Sequence, residues 1–133
     1  CEYGTTTERP RRCGWLDLVV LRYAVRVNGI TEICLTKVDV LDELKTIKVC
    51  TGYETQDGII HEFPLDLDMF SSAKPIYDEL PGWEEDISGI TNYEDLPINV
   101  KNYVKYISNL IGVPISLVSV GSKRDQTIHL IEH

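Results

Sequence analysis

The segment Leu16-Asp17-Leu18-Val19-Val20-Leu21-Arg22-Tyr23-Ala24-Val25-Arg26-Val27-Asn28-Gly29 is followed closely by Glu32-Ile33-Cys34-Leu35-Thr36. In the first segment apolar residues recur at helical spacing, and Asn28-Gly29 is a typical helix stop. The second segment is a short apolar run, which is typical of a buried strand. A helix that leads into a buried strand indicates an α/β fold.

The rest of the chain continues this alternation. The pattern predicts, in order, a turn or short helix at 40–44, strands at 46–53 and 59–63 joined by a hairpin at 56–58, a helix from Pro97 to Gly112, and strands at 114–120 and 126–131. Residues 64–97 contain four prolines and clusters of acidic residues, and this composition predicts a mostly irregular wrap over the surface. The expected fold is therefore α/β, with a sheet of mostly buried strands, two long amphipathic helices and a proline-rich surface wrap.

Composition limits what this protein can be. The 133 residues suffice for a single domain, and the net charge is −8. Residues 1–26 hold five Lys or Arg and three Asp or Glu, whereas residues 27–133 hold eight and eighteen. An acidic body argues against nucleic-acid binding, and no apolar run approaches the roughly 20 residues of a membrane span. The basic excess in residues 1–26 is better suited to binding a small anionic ligand than to binding nucleic acid.

The four cysteines, Cys1, Cys13, Cys34 and Cys50, form no Cys-x-x-Cys motif and show no zinc spacing with a histidine. Cys34 and Cys50 lie in apolar runs, which favours reduced core thiols and a cytoplasmic protein. The chain opens without Met or a signal peptide, directly on a loop, so we expect it to be part of something larger.

The loop before the first helix is Gly4-Thr5-Thr6-Thr7-Glu8-Arg9-Pro10-Arg11-Arg12-Cys13-Gly14-Trp15. Threonine hydroxyls beside arginine forks suit carboxylate and phosphate oxygens, since guanidinium offers paired planar donors. The helix that follows would present free amide groups and the positive end of its dipole. A solvated basic loop without a ligand is the alternative interpretation.

Two further segments could bind a nucleotide base. A strand followed by Lys37-Val38-Asp39 can recognise guanine, because the carboxylate can accept from the ring N–H and the exocyclic amine together. The stem of Lys37 can lie along the base while its ammonium group stays in water. Ser119-Val120-Gly121 follows a predicted strand, where ligands of open α/β sheets bind. An ordinary salt bridge at Asp39 and a plain turn at Gly121 are the alternatives.

These three segments together resemble the adenylosuccinate synthetase family, whose members join IMP and aspartate at the expense of GTP. Residues 4–15 look like the family's aspartate-binding loop, and Leu35-Thr36-Lys37-Val38-Asp39-Val40-Leu41-Asp42 and Ser119-Val120-Gly121 are similar to its guanine-binding segments. This chain has Glu8 where the family usually has Gly. That carboxylate could pair with Arg9 or Arg11 and hold the loop in a resting form.

The resemblance implies a role for each of these segments. The residues implied to bind aspartate and IMP are Thr5, Thr6, Thr7, Glu8, Arg9, Pro10 and Arg11. Those implied to bind GTP are Arg11, Lys37, Val38, Asp39, Ser119, Val120 and Gly121. On the same basis, residues 1–15 are the aspartate loop and residues 16–133 the guanine-binding part of a single C-terminal region.

The resemblance also implies what this sequence lacks. The family's Gly-rich phosphate loop, its catalytic residues and its Mg²⁺ ligands belong to an N-terminal part of a larger P-loop-like GTP-binding fold, and the whole enzyme is typically a homodimer. We therefore assign no catalytic and no metal-binding residue to this chain, and expect it to be inactive alone. The other interpretation is a stand-alone, non-catalytic module that binds a guanine nucleotide or another anion.

Overall fold

The computed structural model describes residues 15–62 and 72–130, which form two β-sheets and two long α-helices. The elements are β1 (Leu16–Asp17), α1 (Leu18–Asn28), β2 (Ile33–Leu35), β3 (Thr46–Thr55), β4 (Gly58–Ile60), β5 (Lys74–Pro81), α2 (Ile98–Ile111), β6 (Ile115–Ser119) and β7 (Thr127–His129), with 3₁₀ turns at Val38–Leu41 and Tyr93–Asp95. The predicted α/β class with two amphipathic helices is confirmed.

Helix α1 is delimited by its caps. The Asp17 Oδ1 atom accepts hydrogen bonds from the backbone N–H groups of Val19 and Val20 at 2.9 and 3.1 Å, which satisfies two donors that the first turn leaves unpaired. Gly29 ends the helix in the left-handed conformation with φ 64°, as the sequence predicts. The helix starts two residues later than the apolar pattern suggests, because Leu16 and Asp17 pair with β3 instead.

Helix α2 begins after Pro97 and ends at Gly112, which has φ 80°. Its buried face is formed by Val100, Tyr103, Val104, Ile107 and Ile111. Leu110 belongs to the same predicted apolar stripe but is 38% exposed, so the stripe is narrower than the sequence suggests.

The first sheet is built around β3. Strand β1 pairs with it in parallel at Val49–Cys50, and β4 pairs with it antiparallel across the predicted hairpin. The second sheet has the order β2-β6-β7, in which β2 and β6 are parallel and β6 and β7 antiparallel. Residues from β2, β6 and β7 enter the same buried core as α1 and α2.

The expected proline-rich surface wrap is not confirmed, because strand β5 occupies the middle of that segment. It pairs antiparallel with β3 from Thr46↔Pro81 to Glu54↔Lys74, where the sequence suggests mostly loop. The prolines are tolerated because β5 lies beside β3 as an outer strand, and Pro75 and Pro81 fall near its two ends. Trp83 follows the strand and is only 5% exposed, so this segment also reaches the core.

Two smaller expectations have different outcomes. Cys50 is a buried free thiol, as expected, whereas Cys34 is disulfide-bonded, so the expectation of a reduced Cys34 is wrong. Across residues 15–62 and 72–130, the helices lack the length and apolarity needed to cross a membrane.

Candidate functional site

The carboxyl ends of β2 and β6 bring two of the predicted segments together. These strands are parallel neighbours, and Leu35 of β2 is paired with Val118 of β6. Lys37-Val38-Asp39 follows the first strand, and Ser119-Val120-Gly121 completes and follows the second. Segments far apart in the sequence therefore meet at one edge of the sheet, where open α/β sheets bind ligands.

Lys37 turns the chain sharply at this edge. Its backbone is left-handed, with φ 56° and ψ 40°, a conformation that costs a non-glycine residue about 1 kcal/mol or more. The turn directs Val38 into the core, where it is fully buried, and leaves the Lys37 side chain exposed. Asp39 then enters the 3₁₀ turn at the rim of the sheet.

The Asp39 carboxylate has an unsatisfied acceptor. Its Oδ1 atom is buried, and no donor from the described residues reaches it. A buried acceptor without a partner costs about 1–3 kcal/mol, so structures rarely keep one without a reason. A ligand with an N–H group at this position would satisfy it.

The segment Ser119-Val120-Gly121 is held close to the following turn. The Ser119 hydroxyl donates to the Gly121 carbonyl at 3.0 Å, and the Val120 N–H donates to the Gln126 carbonyl at 2.8 Å. A Cβ atom on Gly121 would lie 2.2 Å from the Gln126 Oε1 atom. That oxygen accepts from the Lys123 N–H, and the Gln126 amide donates to the Ser88 carbonyl. A side chain at position 121 would therefore displace the Gln126 side chain from these two hydrogen bonds.

An open cleft of about 680 Å³ begins at Asp39, and we call it the acidic cleft. It is lined by Asp39, Val40, Asp42, Glu43, Leu44, Glu84, Glu85 and Asp86. Residues 84–86 belong to the segment 64–97, whose composition predicts a wrap over the surface. They are indeed exposed, but the fold places them across from Asp39, which only the tertiary structure could reveal.

Asp42 joins the two sides of the acidic cleft through hydrogen bonds. Its Oδ1 atom accepts from the Trp83 indole N–H at 2.8 Å, and its Oδ2 atom accepts from the Ile87 N–H at 3.1 Å. Trp83 also packs edge-to-face on Tyr103, with the ring centroids 5.7 Å apart. Burial raises the pKa of the Asp42 carboxyl above its usual value, although both hydrogen bonds oppose that shift. The sequence pattern gives no sign of this long-range pair.

The raised pKa of Asp42 predicts a pH dependence of stability. The carboxyl group has a pKa near 3.8 in the unfolded chain. As the pH falls from 7 toward that value, the folded chain takes up the proton before the unfolded chain does, so the free energy of unfolding increases. We expect the stability of the wild type relative to Asp42→Asn to increase over that interval, as measured by urea denaturation at each pH.

Asp86→Asn is the matched control for this prediction. Hydrogen bonds from Ser88 lower the pKa of Asp86, so its contribution to stability is present above pH 3.8 and is lost as the pH falls through the folded pKa. The wild type relative to Asp86→Asn should therefore lose stability below pH 3.8. If the stability of the wild type relative to each variant changed with pH in the same direction for both, the opposite pKa shifts assigned to Asp42 and Asp86 would be wrong.

The remaining predicted site residues lie outside the described part of the chain. Thr5, Thr6, Thr7, Glu8, Arg9, Pro10 and Arg11 all fall within residues 1–14. What the structure does describe is the point where this loop joins the fold: Trp15 packs on the core, and Leu16 and Asp17 form β1. His61 is hydrogen-bonded through Nδ1 to the Thr51 carbonyl oxygen at 2.9 Å.

Two parallel strands end beside Asp39, whose Oδ1 atom is buried and unpaired among the described residues, and this defines an α/β protein with a candidate base-binding site at the strand ends. The family model described as adenylosuccinate synthetase matches residues 1–128. The chain belongs to the adenylosuccinate synthetase family.

Individual relatives agree with this assignment. The chain is 55% identical over 129 residues to adenylosuccinate synthetase from Geotalea uraniireducens, a match that covers 97% of the chain and 30% of the relative. It is 56% identical over 127 residues to that of Geobacter sulfurreducens, covering 96% and 29%. The solved structure of fully ligated adenylosuccinate synthetase from Plasmodium falciparum superposes with a TM-score of 0.84 at 38% identity, covering 96% and 31%. The chain thus spans less than a third of the length of these relatives.

Proposed function

We propose that this chain is the guanine- and aspartate-binding part of an adenylosuccinate synthetase, a ligase that makes adenylosuccinate from IMP and L-aspartate with GTP hydrolysis in the de novo synthesis of AMP. Membership of the family supports the activity, and the two segments at the carboxyl ends of β2 and β6 support the guanine site. In this proposal the chain is a C-terminal region, with residues 1–15 as the aspartate loop and 16–133 as the guanine-binding part of a larger P-loop-like fold.

The observation that carries the guanine site is the unpaired Oδ1 atom of Asp39. Guanine presents a ring N–H and an exocyclic amine on the same edge, and one carboxylate can accept from both. Adenine lacks this pair of donors, so Asp39 would discriminate against ATP. Lys37, which is exposed beside it, can lay its aliphatic stem along the base.

The charge of the acidic cleft orients the nucleotide in this proposal. Its lining includes six carboxylates, which attract the N–H edge of a base and repel a triphosphate. The phosphates would therefore extend away from the cleft, past Ser119-Val120-Gly121. Val38 and Val120, both fully buried, fix the two segments beneath the ligand.

In this proposal the opening loop binds the other two substrates, aspartate and IMP. We propose that Thr5, Thr6 and Thr7 hold the carboxylates of aspartate with their hydroxyl groups, and that Arg9 faces aspartate and the IMP ribose. Arg11 would bridge aspartate to the nucleotide phosphate, because its planar fork can pair with two oxygens at once.

The chemistry then needs groups beyond this chain. GTP phosphorylates the IMP oxygen, and the aspartate amine displaces that phosphate. Mg²⁺ would neutralise charge on the transferred phosphoryl group. We assign metal binding and catalysis to other parts of the synthetase, which we propose to be a cytoplasmic homodimer.

The proposal is tested by the formation of adenylosuccinate from IMP, aspartate and GTP. The full-length protein that contains this sequence should form the product with GTP and much more slowly with ATP, whereas residues 1–133 alone should bind guanine nucleotide without turnover. A full-length protein that makes no adenylosuccinate would refute the proposed activity. Robust turnover by residues 1–133 alone would refute the assignment of catalysis to parts of the protein outside this chain.

A further inference from the structure

The opening loop joins the fold at Asp17, and both carboxylate oxygens of this residue are engaged. Oδ1 caps α1 by accepting from the Val19 and Val20 N–H groups. Oδ2 accepts a hydrogen bond from the hydroxyl of Tyr53 on β3. The backbone of Asp17 also pairs with β3, opposite Cys50. Asp17, the second residue after the loop, is therefore fixed to both the helix and the sheet.

A β-bulge in β3 is what allows Tyr53 to reach Asp17. The register of β3 against β5 shifts between Cys50 and Gly52. Side chains three positions apart on a regular strand point to opposite faces, but one extra residue returns them to the same face. Cys50 and Tyr53 accordingly pack together against Val19 of α1, with exposures of 2%, 8% and 1%.

Burial and the neighbouring carboxylate raise the pKa of Tyr53 above its ordinary value, so the phenol stays protonated and remains a donor to Asp17. This small cluster is separate from the main core, and it lies on the first sheet, whereas the guanine segments lie on the second. A change at Tyr53 should therefore affect the opening loop without disturbing the guanine site.

We propose that Asp17 and Tyr53 are a positioning pair that fixes the end of the aspartate-binding loop, so that its arginines are held ready for the substrate carboxylates. The proposal rests on the function proposed above. The pair touches no reacting atom, and it acts by reducing the number of conformations the loop must lose when aspartate binds. Its loss should raise the KM for aspartate and leave the KM for GTP unchanged.

The test uses Tyr53→Phe in the full-length synthetase, which removes the hydroxyl and keeps the ring. We expect the KM for aspartate to rise about tenfold, the size expected for one hydrogen bond to a charged group, with the KM for GTP within twofold of the wild type. Tyr106→Phe is the matched control, because the Tyr106 hydroxyl also donates to a carboxylate, that of Asp78, and neither residue belongs to the cluster of Val19, Cys50 and Tyr53.

The variant Asp17→Asn distinguishes the role of Asp17 as the cap of α1 from its proposed role in positioning the loop. Asparagine is as good an N-cap as aspartate, so its oxygen can still accept from Val19 and Val20, while its amide group cannot accept from Tyr53. We expect Asp17→Asn to reproduce the rise in the KM for aspartate, and the double variant with Tyr53→Phe to be no worse than either single variant. Additive effects, or equal rises in the KM for GTP and aspartate, would overturn the pairing.

A second readout does not depend on activity. Trypsin cleaves after Arg11 and Arg12 of the loop, and we expect Tyr53→Phe to speed that cleavage several-fold while Tyr106→Phe leaves it unchanged. Unchanged cleavage in Tyr53→Phe would overturn the positioning role, whether or not the wild type makes adenylosuccinate. Absence of adenylosuccinate from the wild type would refute only the proposed function.

Discussion

Asp39→Asn in the full-length protein is expected to lower kcat/KM for GTP by on the order of a hundredfold and to raise kcat/KM for XTP. The carboxylate accepts from two guanine donors in the proposed complex, and hydrogen bonds to a charged group contribute about 1.5–3 kcal/mol each. An asparagine amide cannot accept from both donors. Xanthine carries a carbonyl oxygen where guanine has its amine, and the new amide group can donate to that oxygen.

The measurement is the rate of adenylosuccinate formation with GTP, XTP and ATP for each variant. Glu85→Gln is the control, since it removes one charge from the acidic cleft without changing the residue proposed to contact the base. It should change kcat/KM for GTP by less than threefold or so, as exposed charges contribute little. If Glu85→Gln and Asp39→Asn had similar effects, the cleft would act through its overall charge and Asp39 would not be the guanine contact.

Gly82→Ala should destabilise the chain by about 3 kcal/mol, near the upper end for overpacking. An added Cβ atom would lie 1.9 Å from the backbone carbonyl oxygen of Leu44. Backbone cannot move aside here, because the Gly82 N–H donates to the Lys45 carbonyl at 2.8 Å and the Asn99 side chain donates to the Gly82 carbonyl at 2.9 Å. The change would separate the end of β5 from the wall of the acidic cleft.

Gly89→Ala provides the comparison, because a Cβ atom at Gly89 would meet no atom within 4 Å. It lies in the same connection between β5 and α2, and we expect its free energy of unfolding to stay within about 0.5 kcal/mol of the wild type. Urea denaturation of both variants measures the difference. Equal stability of the two would show that the contact between Gly82 and Leu44 does not constrain the fold.

Local patterns in the sequence predict the elements that have clear local signals. Both helices follow from apolar spacing and from Gly29 and Gly112 at their ends, and β3 with its hairpin follows from alternation and the turn at Asp57-Gly58. Strand β5 could not be found in this way, because Pro75 and Pro81 argue for a loop unless the strand is known to lie at an edge. Strand β1 is only two residues long, and pairing with β3 alone defines it.

The candidate site, too, contains residues that the sequence predicts and residue pairs that only the structure shows. Lys37 and Asp39 can be proposed from the sequence because a strand end followed by Lys-x-Asp suits guanine, and the resemblance to a family gives that pattern its context. The pairs Asp42–Trp83 and Asp17–Tyr53 join residues far apart in the chain. No local period marks such pairs, so only the packed structure reveals them.

A structure of the full-length protein that contains this sequence, with GDP, IMP and aspartate bound, would measure the guanine contact itself. We expect the Asp39 carboxylate to lie about 3 Å from the ring nitrogen and from the exocyclic amine of guanine, with Ser119-Val120-Gly121 beside the same nucleotide. A guanine base bound elsewhere, with Asp39 Oδ1 still unpaired, would contradict the proposed site.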